Sequence, residues 1–375
     1  MKPKIAIDAI ALLSAFTGIG RYAYEISKRV EKKEEFDTKF YYGFFSKKLI
    51  SKNSSYKHIK SSFLKNSFLK KALKKALMFY TKNFYKENFD LYWQPNYIPS
   101  PVVKSKRCIV SVHDFSFILN PSWHPKERID YFEKNFFKNI KRADRIITGS
   151  NYTKEEIKKY ISFDENKIDV IYHGVNHSLY KRYEKSLLES FKKENHLPDR
   201  FFLFVGSIEP RKNLSYLLRV YLDLPSYIKK DYKLVIAGFK GWENERIKEI
   251  LQKERENIFY MGYLDDLHLA FLYNLAFCFI YPSLYEGFGI PPLEAMACKT
   301  PVITSKVASM PEVCKDAALY IDPRNEDSLR KEILRVIEDD KIREALIEKG
   351  YNRSKEFTWE NSFKKHFEIF KKEVL

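Results

Sequence analysis

Residues 276–306 read AFCFIYPSLYEGFGIPPLEAMACKTPVITSK. An apolar run reaches Pro282 and gives way to a loop with two glycines. A helix then opens at Pro291-Pro292, where proline is favoured because its missing N–H would be unpaired anyway. A second apolar run, PVITSK, follows the helix. Strand, loop, helix and strand make the repeating unit of a parallel sheet covered by helices on both faces. The same unit recurs upstream. FFLFVGS (201–207), YKLVIAGF (232–239) and IFYMGYL (258–264) read as strands, each followed by an amphipathic helical run, and AALYID (317–322) is a further strand. The first half repeats the pattern, with strands at 4–10, 38–45, 89–93, 108–112, 145–149 and 168–172 and a helix after TGIG. A charged, weakly patterned stretch at 178–200 marks a junction. The predicted fold class is α/β: two Rossmann-like, doubly wound parallel-sheet domains, residues 1–185 and 186–355, facing across a cleft. Ligands of such sheets bind beyond the carboxyl ends of the strands.

A length of 375 residues suits two domains, and 45% hydrophobic content supports packed cores and excludes global disorder. Cys108, Cys278, Cys298 and Cys314 show no metal-ligand spacing and are too sparse for a disulfide framework, which points to a reducing, cytoplasmic setting. No segment reaches the roughly 18 apolar residues of a membrane span. The start, MKPKIAIDAIALLSAF, imitates an export signal, but Asp8 interrupts the apolar run and no small-residue cleavage site follows, so it reads as a buried strand.

The net charge of +18 lies entirely in residues 1–187, which hold 37 Lys+Arg against 19 Asp+Glu. Residues 47–86 carry 12 lysines and no acid. Within them, FLKNSFLKKALKKALMFYTK (63–82) puts Phe68, Leu69, Ala72, Leu73, Ala76, Phe79 and Tyr80 on one helical face and Lys70, Lys71, Lys74 and Lys75 largely on the other. Such a basic insert suits an anionic membrane interface or an acceptor surface; a solvated surface helix would look the same. The many aromatics keep nucleic-acid stacking open. No nucleic-acid-binding module pattern is present, and no nucleic-acid partner is expected.

Gly287 and Gly289 precede a helix start, where backbone N–H groups and the helix dipole favour an anion. Glu294 is expected in the first helical turn and Glu286 just before the loop. Taken singly, the two acids read as a dipole acid and a solvated loop acid. Gly18 and Gly20, with Ala23, approach the dinucleotide fingerprint, but about seven residues separate them from the first strand, against a dehydrogenase.

EGFGIPPLE (286–294) resembles the E-x7-E motif of family-4 retaining glycosyltransferases of the GT-B fold. VGSIEPRKN (205–213), IAGFKGW (236–242), MGYLDDLHLAFLYNLA (261–276), PEV (311–313) and IDP (321–323) are similar to further motifs of that family, in its order. So are TGIGRYAYEI (17–26), SVHDFSF (111–117), TGSNYTKEEI (148–157) and VIYHGVN (170–176). The nearest subgroup is that of mannosyltransferase-type enzymes of lipopolysaccharide and O-antigen assembly. The resemblance implies that Arg211 and Lys212 bind the donor phosphates, that Glu294 takes the ribose hydroxyls and that Glu286 lies at the transferring sugar. It implies backbone contacts to the donor from Gly287, Phe288, Gly289 and Ile290, with Gly18 and Gly20 beside the diphosphate and His113 at the reaction centre. Ser207 stands where relatives often carry an arginine. The resemblance also implies front-face retention with no metal and no cofactor, a nucleotide sugar as donor, GDP-mannose first, and a glycan or lipid-linked glycan as acceptor. The last segment, 356–375, resembles the helix that crosses back to the first domain, anchored by Trp359. The expected location is the inner face of the cytoplasmic membrane, peripherally bound. An epimerase or phosphorylase of the same fold, and a non-catalytic binding relative, are the alternatives.

Overall fold

The apolar runs are realised as two sheets in a computed structural model that describes residues 2–13, 18–50, 85, 87–239 and 245–375. Lys70, Lys71, Lys74 and Lys75 lie outside the described residues, and with them the amphipathic-helix reading. The first sheet contains β1 (Lys4–Asp8), β2 (Asp37–Tyr41), β3 (Phe45–Ser46), β4 (Phe89–Gln94), β5 (Ser105–Val112), β6 (Arg145–Thr148) and β7 (Ile168–Val170). The second contains β8 (Phe201–Val205), β9 (Lys233–Ala237), β10 (Ile258–Gly262), β11 (Cys278–Tyr281), β12 (Val302–Ser305) and β13 (Leu319–Ile321).

Among the described residues the strand orders are β3-β2-β1-β4-β5-β6-β7 and β10-β9-β8-β11-β12-β13. All pairings are parallel except β2 with β3. That exception corrects the single strand expected at 38–45. Gly43, at φ +96°, turns the chain back after Tyr42, so Phe45–Ser46 pairs antiparallel with Phe40–Tyr41. The order reverses between β1 and β4 and again between β8 and β11. These are the switch points where doubly wound sheets leave a crevice.

The central strands are apolar on both faces because helices cover both. Phe201 to Val205 of β8 are all buried. One face of the second sheet packs on the helices Asp266–Leu275 and Ile290–Ala297, the other on Leu214–Leu222 and Glu326–Glu338. The last helix, Trp359–Val374, starts from Thr358, whose side chain accepts from Asn361 N–H. Trp359, Phe363, Phe367 and Phe370 recur at helical spacing and bury against Ile5, Ile7, Tyr22 and Trp93 of the first domain. The C-terminal helix therefore does cross back. Val175 forms a parallel bridge with Thr358, and a Cβ on Gly174 would lie 2.1 Å from Trp359 N, so only glycine lets the two segments touch.

Candidate active site

Two loops leave the second sheet side by side, one after β8 and one after β11. They are tied by Leu284 N–H donating to the Arg211 carbonyl at 2.9 Å and by Asn213 Nδ2 donating to the Pro282 carbonyl at 3.1 Å. This seam aligns the basic pair of one loop with the first acid of the other. Arg211 donates to Glu286 Oε2 at 2.8 Å and to Glu209 Oε1 at 2.9 Å. Lys212 Nζ donates to Glu286 Oε1 at 2.6 Å, an atom that also accepts from Tyr281 OH at 2.8 Å. Glu286 and Lys212 are 6% and 9% exposed, so these are buried charges. Burial alone would raise the Glu286 pKa, but Arg211 and Lys212 outweigh it and hold it at about 2. Burial, aided by Arg211, lowers that of Lys212.

Glu294 lies in a different setting. It is the fifth residue of the helix Ile290–Ala297 and is 3% exposed, facing inward. The expected place in the first turn is therefore corrected: the helix starts at Ile290, one residue before the prolines, so Ile290 to Leu293 make the first turn and the glutamate follows it. Its partner comes from the first domain. Arg21, on the helix Gly18–Val30, donates to Glu294 Oε1, to Asp266 Oδ1 at 2.6 Å and to Tyr180 OH at 3.2 Å. Burial raises the Glu294 pKa, Arg21 opposes this and Asp266 reinforces it.

The glycines serve packing as well as approach. A Cβ on Gly287 would sit 1.7 Å from the His113 carbonyl oxygen, so this glycine admits the first domain. Its own carbonyl accepts from Ser150 Oγ at 2.6 Å and Thr153 Oγ1 at 3.2 Å. Gly289 caps the helix at φ +93°. The Phe288 ring is buried against Tyr172, His173 and Phe357, so only its backbone can face a donor; Ile290 is half-buried. Gly18 opens its helix with no atom of the described residues within 4 Å of a Cβ placed there, whereas Gly20 is buried within the helix. His113 follows β5, and its Nε2–H donates to the Pro95 carbonyl at 2.7 Å. Burial lowers its pKa and keeps the ring neutral. Glu286, Arg211 and Lys212 thus form one cluster and Glu294 another, with Gly287 and His113 in contact across the domain boundary. Among the described residues no group of three or more His, Cys, Asp or Glu is arranged to hold a metal ion.

Residues 16–179 match the family described as Glycosyltransferase Family 4, and residues 186–353 match Glycosyl transferases group 1. O-antigen chain mannosyltransferase B of Escherichia coli is 35% identical over 274 residues, covering 72% of this chain and 71% of that one. The chain belongs to the family-4 glycosyltransferases. O-antigen chain mannosyltransferase RfbU of Salmonella typhimurium is 32% identical over 60% of this chain and 59% of its own. Among solved structures, sucrose-phosphate synthase from Thermosynechococcus elongatus superposes with a TM-score of 0.75 at 17% identity, over 99% of this chain and 98% of that one. Anabaena Alr3699/HepE, in complex with UDP and glucose, gives 0.73 at 16%, over 99% and 100%. The fold of this glycosyltransferase is therefore GT-B.

Sequence reasoning missed three of the glycosyltransferase's contacts. Arg21 stands inside a quoted motif, yet its partners lie 245 and 273 positions away. Tyr285 OH donates to Glu156 across the boundary and accepts from Phe115 N–H at 2.9 Å. Phe239 and Tyr263 stack at 4.3 Å, both exposed, just past β9 and β10. Only the last had a signal, an aromatic after each of Gly238 and Gly262 at two neighbouring strand ends.

Proposed function

We propose that this glycosyltransferase moves mannose from GDP-mannose, with retention at the anomeric carbon, to a growing O-antigen-type glycan. The observation that carries the reading is the convergence of Arg211, Lys212 and Glu286 at the switch point between β8 and β11. Two cations there would neutralise a leaving diphosphate, and charge building on it in the transition state is where such groups act most strongly. Donor phosphates would share the cations with Glu286. Glu286, ionised, would then lie beside the sugar rather than act as an acid. Glu294 would accept the ribose hydroxyls, and the N-terminus of Ile290–Ala297, with the Gly289 and Ile290 backbone, would face phosphate. Phe239 and Tyr263 offer a flat apolar face for the base. The neutral His113 suits a hydrogen-bonding role at the sugar.

In front-face transfer the leaving phosphate oxygen takes the acceptor hydroxyl proton as the glycosidic bond forms. In this reading the enzyme needs neither a metal nor a further cofactor. The names of its mannosyltransferase relatives support the donor and acceptor classes. The lysines Lys70, Lys71, Lys74 and Lys75 would hold it on the anionic inner face of the cytoplasmic membrane, near a lipid-linked acceptor. The test is transfer of labelled mannose from GDP-mannose to an isolated lipid-linked oligosaccharide. Arg211→Ala is expected to lower transfer about 100-fold. Undiminished transfer would remove Arg211 from the site.

A further inference from the structure

We infer that Arg21 is a positioning residue for the donor's ribose, one that stays on Glu294 while the nucleotide is bound. The inference rests on the reading of Glu294 as the ribose acid. Two carboxylates of the second domain, Glu294 and Asp266, converge on one guanidinium of the first. Arg21 also reaches Tyr180 OH, and its side chain is 17% exposed, so the group is fixed but not fully sealed from solvent. Burial would lower its pKa, but Glu294, Tyr180 and Asp266 together raise it, so its charge is permanent.

A ribose is neutral. Its hydroxyls can donate to Glu294, but they cannot replace a cation. If donor binding expelled Arg21, the buried Glu294 would lose the guanidinium that offsets its burial while the Asp266 carboxylate stayed nearby, an arrangement that strongly disfavours its ionised form. A carboxylate has about four acceptor sites on two oxygens. Arg21 donates to Oε1, and Tyr273 OH lies at a long 3.4 Å from Oε2. Acceptor capacity on Oε2 therefore remains for the ribose with Arg21 in place. The guanidinium favours the ionised form of the acid against its burial and orients it, and so makes nucleotide binding by the second domain depend on a side chain of the first.

The opposite arrangement, a latch the nucleotide must displace, has the opposite sign, which makes a direct test. Calorimetric titration of the full chain with GDP and with UDP identifies the tighter ligand, and that ligand is then compared with its 2′,3′-dideoxy form. Arg21→Gln is expected to weaken the ribonucleotide about tenfold, the worth of one charged hydrogen bond. The dideoxy form should bind Arg21→Gln and wild type alike. Arg21→Lys keeps the charge with a single contact and should show a smaller loss in the same direction, and it serves if Arg21→Gln fails to fold. Tighter or unchanged ribonucleotide binding by Arg21→Gln overturns the inference, as does an equal loss for both ligand forms, which would mark a purely structural role. Glu294→Gln separates the two levels. If it weakens the ribonucleotide while Arg21→Gln does not, only the inference fails. If Glu294→Gln leaves binding unchanged, or neither diphosphate binds wild type, the reading of Glu294 fails and the inference with it.

Discussion

Glu286 and Glu294 are eight positions apart and live under opposite electrostatic conditions. Glu286 is bound by two cations and held at about 2, whereas Glu294 shares one guanidinium with a second acid and is raised. The spacing therefore separates two tasks instead of pairing two carboxylates for acid and base work. Glu286→Gln is expected to lower kcat about 100-fold with a small change in donor KM, while Glu294→Ala should raise donor KM about tenfold; steady-state kinetics with the donor varied decides both. The Glu286 change also leaves Lys212 buried beside Arg211 without its acid, so unfolding should show a loss of roughly 3–5 kcal/mol. Glu286, Arg211 and Lys212 were legible because each sits in a short local motif. Arg21 was not, because a side chain's charge partner across a domain boundary leaves no trace in its own neighbourhood.

At the scale of elements, continuous apolar strands announced both sheets, and errors fell where one residue redirected the chain. Gly43 broke one expected strand into a hairpin, and Gly289, at φ +93°, let the helix start at Ile290, one residue before the prolines, which moved Glu294 past its first turn. Gly287 was read as an approach to a ligand, and the structure shows in addition an approach to the His113 carbonyl. A methyl group there has no room without separating the loop from the first domain. Gly287→Ala is expected to cut transfer at least about tenfold, and its small-angle scattering profile should indicate a more open molecule, with far-ultraviolet circular dichroism unchanged. The closing helix was legible through its resemblance to the family's returning helix, and the structure adds the buried aromatic spacing of Trp359, Phe363, Phe367 and Phe370. Phe370 is fully buried against the first domain, so Phe370→Ala should cost about 3–5 kcal/mol in chemical denaturation.

The whole molecule is joined across the cleft by Arg21 with Glu294 and Asp266, by Tyr285 with Glu156, and by Glu312, which accepts from the N–H groups of Asn151 and Tyr152 at 2.8 and 3.1 Å. Behind these contacts lies a buried core shared by the first domain and the returning helix. Trp93 Nε1 donates to Ser111 Oγ, Tyr22 OH bridges Ser111 and His366 Nε2, and His366 Nδ1–H donates to the Ser362 carbonyl. His113 and His173 pack on the same Tyr22 ring. Burial keeps all three histidines neutral and lowers His366 from 6.5 to about 4. A depressed histidine contributes stability that is complete above its unfolded pKa and lost as pH falls toward the folded one. Between pH 6.5 and 4 the His366 contribution should fall by on the order of 3 kcal/mol, and denaturation of His366→Gln should show a correspondingly flatter pH dependence. Glu156 acts in the opposite sense. Its burial raises it to about 7, so its contribution is present below the ordinary carboxylate pKa and lost as pH rises through 7. The central claim remains group transfer from a nucleotide sugar by the cluster at the β8 and β11 loops. It is tested most directly by incubating the enzyme with a panel of nucleoside diphosphate sugars and a lipid-linked O-antigen acceptor, and resolving the products by mass. The account predicts acceptor extended by one hexose with GDP-mannose, anomeric configuration retained, and extension lost in Arg211→Ala. Failure of every donor in the panel to extend any acceptor, or extension that survives Arg211→Ala at the wild-type rate, would contradict it.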